Sequence, residues 1–318
     1  MADGAPLVGT VSAPVPEAAT AEWFTGAGGV RLRAALFPAA GTPRGSVVLS
    51  PGRTEAIEKY YEVAGLLNAR GFSVVIHDWR GQGLADRLLP NRLLGHAAGF
   101  KDFLADYAAL LAAFEARLPK PWIAVGHSMG GCLTLLALAE GERRFSAAAL
   151  SAPMLGVRTG AVPRPAARMI AASLASIGQG GRAVPGPAAA TTPFESNIVT
   201  HDRARYARNE GLIEACPDLA LGMPTWGWLD FAFAATARLA KGAGVPRIAI
   251  PVTVVAAGDD VLVDNAALEI VTGRLPAGRY LEVPGAFHEI LQETDAVQAV
   301  FWREFDALAE KVAPKPDL

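Results

Sequence analysis

One short stretch limits what this chain can fold into. Pro121-Trp122-Ile123-Ala124-Val125 is an apolar run, Gly126-His127-Ser128-Met129-Gly130 follows it, and Leu133 to Glu140 is helix-forming. The pattern predicts a strand that reverses into a helix through a tight turn, with Ser128 at the apex. Such a turn brings two backbones together and strains the serine's own dihedrals. Gly126 and Gly130 carry no Cβ that would clash there. Ser128 Oγ then stands above the C-terminal edge of a sheet, with a helix N-terminus aimed at it.

The flanking sequence supplies the sheet. Trp23 to Pro38 reads as a hairpin turning at Gly26-Ala27-Gly28-Gly29. Gly45–Ser50, Phe72–Ile76, Ala147–Ser151, Ile250–Val255 and Arg279–Val283 are short apolar runs that read as strands. Helical spacing covers Ala56–Arg70, Phe100–Leu118, Ala266–Arg274 and Thr294–Lys311. Strands alternating with helices predict a mostly parallel sheet covered on both faces. The alternation stops after Pro153 and returns at Ile250. The intervening stretch is punctuated by prolines and aromatic pairs such as Trp226-Gly227-Trp228. We read residues 154–245 as a cap inserted in a core made of residues 21–153 and 246–318, with residues 1–20 as a flexible leader.

A serine hydroxyl needs a base in reach and a third group to orient that base. Of the five histidines, His288 follows the last strand in a short loop, where such a base belongs. His127 is expected to face away and pack, His77 to support a turn, and His96 and His201 to lie in loops. The acid belongs after a strand between serine and histidine. Asp260 fits best, with Asp259 and Asp264 as competitors and Asp264 expected to cap the following helix. The order Ser128, Asp260, His288 is the α/β-hydrolase order. Two backbone N–H groups would hold the negative charge that develops on an attacked carbonyl: Met129, after the nucleophile, and Arg53, after Gly52. For both, the N–H is assigned rather than the side chain.

These residues carry a family resemblance. Ser50-Pro51-Gly52-Arg53-Thr54-Glu55 with Lys59-Tyr60, Asp78-Trp79-Arg80-Gly81-Gln82-Gly83 with Arg87, and Leu94-Gly95-His96 are part of it. Gly126 to Gly131, Ala152-Pro153-Met154, Phe194-Glu195-Ser196-Asn197, Thr200-His201, Arg205-Tyr206, Pro224-Thr225-Trp226, Val263-Asp264-Asn265 and Gly285 to Ile290 complete it. The chain resembles α/β-hydrolases of the lysophospholipase and monoacylglycerol lipase group, over roughly residues 45–312. The resemblance implies an α/β-hydrolase fold with a cap, the triad Ser128, Asp260 and His288, and oxyanion donors at Arg53 and Met129. It implies release of a fatty acid from a lysophospholipid or monoacylglycerol. Trp79 stands where the family often has histidine, and Ala85 where it often has serine.

Composition sets the remaining bounds. A net charge of −2 argues against a general nucleic-acid binder. Cys132 and Cys216 make no disulfide framework and sit in no metal-ligand cluster. No metal or organic cofactor is called for. Residues 1–20 lack the basic start and continuous apolar core of a signal peptide, and no apolar run is long enough to span a membrane. The expected location is the cytoplasm, at or near the inner membrane face. Between Met154 and Phe194 stand Arg158, Arg164, Arg168 and Arg182 and no acid, a composition suited to an anionic membrane surface or a phosphate. Trp226, Trp228 and Asn197 are expected to contact a lipid-like ester substrate. An aminopeptidase or an acyltransferase using the same triad, and a ligand receptor on the same scaffold, stay open.

Overall fold

The computed structural model describes residues 4–186 and 192–315. The first three residues of the leader, Pro187 with its four successors, and the last three residues of the core stretch lie outside them. The strands are β1 (Thr20–Thr25), β2 (Arg31–Phe37), β3 (Gly45–Ser50), β4 (Phe72–His77), β5 (Trp122–His127), β6 (Phe145–Ser151), β7 (Val252–Ala257) and β8 (Gly278–Val283). They form one sheet in the order β1-β2-β4-β3-β5-β6-β7-β8. β1 and β2 pair antiparallel, β2 runs antiparallel to β4, and the remaining neighbours are parallel.

Two-sided burial explains the sequence pattern. Every residue of β3, β4, β5 and β7 is buried, so these strands read as continuous apolar runs rather than alternating ones. The pleat still sorts them. Val48 and Val75 enter one core, while Val47, Leu49, Val74 and Ile76 enter the other. The first core is closed by α2 (Lys101–Phe114), α3 (Ser128–Ala139) and α7 (Asn265–Thr272), the second by α1 (Tyr61–Ala69) and α8 (Asp295–Val312). This is the α/β-hydrolase architecture, a mostly parallel sheet with helices on both faces and helical insertions over its C-terminal edge.

Two helices are shorter than the sequence reading. Ala56–Arg70 divides into a 3-10 turn, Ile57–Tyr60, and α1. The turn is pinned where Ile57 N–H donates to Asp78 at 3.0 Å and Glu58 accepts from Arg33. α2 ends at Phe114, and a hydrogen-bonded turn, in which Arg117 N–H and Leu118 N–H donate to Phe114 O at 2.9 and 3.1 Å, takes the chain to the proline at 119. The larger departure lies between β6 and β7. Where the sequence shows no repeat, the chain forms α4 (Arg164–Ser176), α5 (Arg203–Ala215) and α6 (Trp226–Ala240). The prolines punctuate these helices instead of breaking them. Pro163 and Pro165 open α4, Pro217 follows α5 and Pro224 precedes α6. Asp202 caps α5 by accepting from Arg205 N–H, and Thr225 caps α6 by accepting from Trp228 N–H. α6 is knit to the core, with Phe231 stacked on Phe103 at 5.0 Å.

The leader residues from Ala5 to Ala13 run along the core. Ala5 N–H donates to Ala21 O at 2.9 Å, and Tyr61 Oη donates to Val8 O at 2.9 Å.

His77 ends β4 in complete burial beside Ser50 Oγ and the Trp79 ring. Burial pushes its pKa from 6.5 down to about 3. Between those values only the unfolded chain binds the proton, so unfolding takes one up and stability falls as the pH drops through that window. His77→Gln therefore flattens the loss of stability between pH 6.5 and 4, read as urea midpoints at the two pH values. An unchanged slope would contradict the assignment.

Candidate active site

The elbow forms as its glycines require. β5 ends at His127, α3 begins at Ser128, and Ser128 holds the left-handed dihedral φ +49°. That strain costs about 1–3 kcal/mol and is held by the surrounding packing. A Cβ on Gly130 would lie 2.1 Å from Ser50 O and 2.4 Å from Pro51 O, and one on Gly126 would lie 2.8 Å from Gly131 Cα. Neither set of backbone atoms can move aside. Gly130→Ala is expected to cost about 3 kcal/mol, read by urea denaturation, and to displace Ser128 from its partner.

That partner is His288. Ser128 Oγ lies 2.9 Å from His288 Nε2, and His288 Nδ1 lies 2.5 Å from Asp260 Oδ2. All three residues are buried. Asp260 Oδ1 also accepts from Leu262 N–H at 2.8 Å and Val263 N–H at 3.0 Å. Burial alone would raise the Asp260 pKa. The His288 hydrogen bond, the His288 charge and the two backbone donors outweigh it and hold the carboxyl below its ordinary range. An ionised Asp260 accepts from Nδ1–H and leaves Nε2 free to accept from the serine. The loops that bring them together are themselves bonded, Gly258 N–H to Val283 O at 2.9 Å and Asp259 N–H to Ala286 O at 3.0 Å. Of the competing acids, Asp259 is exposed and Asp264 caps α7 by accepting from Ala266 N–H.

Met129 N–H and Arg53 N–H have no acceptor within the described protein. Met129 stands in the first turn of α3, where helix geometry supplies none. The Arg53 loop is held from behind. Glu55 Oε2 accepts from Gly52 N–H and from Tyr60 Oη at 2.5 Å, and its Oε1 forms an ion pair with Lys59 Nζ at 3.0 Å. Burial pushes Glu55 upward, but Lys59, His127, Tyr60 and Gly52 together bring it down to about 2. Gly52 abuts the elbow so closely that a Cβ there would lie 3.2 Å from Ser128 Cβ.

Ser128 and His288 open on a cavity of about 320 Å³ walled by Arg53, Met154, Arg158, Trp228, Val263 and Glu289, among others. Of the residues expected to contact substrate, Trp228 lines this cavity. Asn197 lines a neighbouring depression, where its side chain ties the turn to Phe194 O, Val199 N–H and Thr200 N–H. Trp226 packs with Ala167, Ala171 and Phe233 between α4 and α6. His127 does not face away. Its ring lies 4.8 Å from that of His288 on the cavity wall, with Nδ1 donating to Ser151 O at 3.2 Å. His96 bonds Thr225 at 2.9 Å, and His201 bonds Glu293 at 2.7 Å and stacks on Phe287. The Glu55–Lys59–Glu289 chain was missed as a unit, although its members sit in stretches that carried the resemblance. Cys132 is buried in α3, and burial pushes its thiol up to about 12.

Comparison with known proteins places the chain in a family. A protein-family profile described as "Serine aminopeptidase, S33" matches residues 41–295. Lysophospholipase L2 of Escherichia coli (strain K12) is 35% identical over 87% of this chain and 83% of its own length. A monoacylglycerol lipase of Mycolicibacterium smegmatis is 30% identical over 86% of this chain and 91% of its own. Among solved structures, a soluble variant of monoglyceride lipase from Saccharomyces cerevisiae, in complex with a substrate analog, superposes with a TM-score of 0.75. It covers 97% of this chain and 99% of that one at 22% identity, a likeness of fold. The elbow, the sheet order and the matched span together make this chain an α/β-hydrolase, a member of the serine aminopeptidase S33 family, with named lysophospholipase and monoacylglycerol lipase relatives.

Proposed function

We propose that the protein is a serine hydrolase that cleaves a lipid carboxylic ester, a lysophospholipid or a monoacylglycerol, through an acyl-enzyme on Ser128. The observation that carries the reading is the unbroken hydrogen-bond chain Ser128–His288–Asp260 at the floor of an open cavity. Ser128 Oγ attacks the ester carbonyl while His288 Nε2 takes its proton. The proton then passes to the leaving alcohol as the carbon–oxygen bond breaks. Asp260 keeps the proton on Nδ1 and stabilises the imidazolium. Met129 N–H and Arg53 N–H hold the oxyanion, each worth about 3 kcal/mol in the transition state. Water, deprotonated by His288, releases the acid.

The relatives named for lysophospholipase and monoacylglycerol lipase activity support the lipid substrate. Aminopeptidase activity, which the family description suggests, needs a carboxylate free to meet a substrate amine. Glu289 lines the cavity but is held by Lys59 at 2.6 Å, and Arg53 and Arg158 share the wall. An acyltransferase would use the same triad with an alcohol in place of water. A binding-only receptor has no need for Asp260 to fix the His288 tautomer.

The outer face of the cap supports presentation at a membrane. Met169 and Ile177 are 65% and 69% exposed, Val162 and Ile170 are also exposed, and Arg164 and Arg168 stand on the same helix. No helix among the described residues is long and apolar enough to cross a membrane. The contact proposed is therefore peripheral, made by apolar side chains and arginines on an anionic surface. One panel tests both statements. Acid release is measured from a p-nitrophenyl ester, a monoacylglycerol and a lysophosphatidylcholine, and p-nitroaniline release from an aminoacyl p-nitroanilide, with the lipids offered in anionic and in zwitterionic vesicles. The expected result is release from the esters, little from the anilide, and faster turnover on anionic vesicles. Cleavage of the anilide alone would contradict the ester reading. Equal rates on both vesicle types would contradict the surface contact.

A further inference from the structure

Buried cations in this protein meet carboxylates. Arg33 is held by Glu58 and Asp78, Lys59 by Glu55 and Glu289, Arg80 by Asp106 and Asp102, and Arg205 by Glu62, Asp202 and Asp295, all at 3.0 Å or less. Arg53 departs from this rule. Its Nη2 donates to Gly222 O, and its guanidinium lies 5.1 Å over the Trp228 ring. Its Nε is buried without an acceptor, and no carboxylate pairs with it among the described residues. Burial pushes its pKa down to about 10, which still leaves it charged at neutral pH. Arg87 also has unpaired nitrogens, but it bonds the carbonyls of Asp218 and Ala220 and does not line the Ser128 cavity. Arg53 does line it.

Two further features make this a built seat. A Cβ at residue 95 would lie 3.0 Å from Arg53 Nη2 and 3.3 Å from Nε, so Gly95 leaves the room into which the guanidinium folds. Arg158 stands on the same cavity wall. Its Nε donates to Val263 O at 3.0 Å, its backbone N–H donates to Leu262 O at 3.0 Å, and on this exposed residue the Nη groups have no acceptor among the described residues. The carboxylate on this wall, Glu289, is already neutralised by Lys59. The cavity beside the nucleophile thus carries two guanidinium groups with donors to spare.

We propose that the Arg53 side chain, assisted by Arg158, is a subsite for the phosphate of a phosphodiester head group on the ester bound at Ser128. The protein accordingly favours lysophospholipids over neutral monoacylglycerols. This rests on the ester-hydrolase reading and narrows its substrate class. A phosphate oxygen supplies the acceptor that Nε lacks, and a planar guanidinium binds phosphate through paired N–H groups that an ammonium cannot reproduce. The backbone of Arg53 serves the oxyanion and its side chain the head group, so one residue couples head-group recognition to catalysis.

The test compares kcat/KM for a lysophosphatidylglycerol with kcat/KM for a monoacylglycerol of the same acyl chain, in the full-length wild type, Arg53→Gln, Arg53→Lys and Arg158→Gln. The residue-53 N–H survives in each variant. The ratio is expected to favour the lysophospholipid in the wild type and to fall about ten-fold or more in Arg53→Gln. Arg53→Lys keeps part of it, and Arg158→Gln lowers it by less. Inorganic phosphate is expected to inhibit monoacylglycerol hydrolysis competitively in the wild type and much more weakly in Arg53→Gln. If Arg53→Gln slows both substrates in proportion, the side chain is only a strap to Gly222 and Trp228, and the subsite is overturned. Loss of phosphate inhibition with an unmoved ratio assigns Arg53 to free anions and overturns the head-group role. If the wild type turns over neither lipid, the ester-hydrolase reading falls and the subsite with it. Turnover of both with a constant ratio overturns the subsite alone.

Discussion

On the proposed mechanism Ser128→Ala is expected to remove ester turnover, lowering kcat about a millionfold while KM changes little. No neighbour can replace the missing oxygen. His127 and Thr54 share the cavity wall, but His127 Nδ1 is committed to Ser151 O, and His288 Nε2 has Ser128 Oγ as its partner. The proposed backbone donors at Met129 and Arg53 remain, so substrate is expected still to bind. Alanine tolerates the φ of +49° no better and no worse than serine, so the melting temperature stays close to that of the wild type. A variant that retains a tenth of the activity would show that another group attacks the ester.

Arg33→Met costs about 3–5 kcal/mol of stability. Arg33 is completely buried in β2. Its Nε donates to Asp78 at 2.8 Å, Nη1 and Nη2 donate to Glu58 at 2.8 and 2.7 Å, and Nη1 also reaches Pro6 O at 2.9 Å. Burial pulls the guanidinium pKa down, and the two carboxylates outweigh it and leave it raised. Methionine fills the volume but strands two buried acids. Burial already raises Asp78 against the pull of Arg33. Without Arg33, Asp78 relieves its burial by taking a proton in the folded state. The deficit in the variant is therefore largest near pH 8 and shrinks as the pH falls towards 5, the sense expected for a carboxyl whose folded pKa is raised. Urea unfolding at the two pH values checks both size and sign. The effect reaches the site, because Asp78 also accepts from Ile57 N–H in the turn that follows the Arg53 loop.

The core was legible because its physics is repetitive. β3, β4, β5 and β7 are buried on both faces, so apolar composition alone marks them, and their ends shift by no more than two residues. The proposed triad was legible because each member follows a strand: Ser128 after β5, Asp260 after β7 and His288 after β8. The cap helices were not legible. α5 buries Leu212 and no other residue, so it has no apolar period to read. α4 shows its larger apolar side chains to solvent, which defeats a reading that assigns such residues to a core. Arg33 lay in a strand where a charged residue reads as solvent-facing, and only the acids from two distant segments reverse that. His127 failed for a related reason. Its position in the turn was readable, but the direction of its ring depends on Ser151 O and Glu55, which the fold brings from elsewhere.

The most direct test is to trap the acyl-enzyme. The protein is mixed with a p-nitrophenyl ester, quenched in acid within the first turnovers, digested and weighed by mass spectrometry. The expected result is one acyl group per chain on the peptide containing Ser128, in step with a burst of p-nitrophenol, and neither signal in Ser128→Ala. Steady turnover with no adduct, or an adduct on another residue that survives Ser128→Ala, would contradict the account.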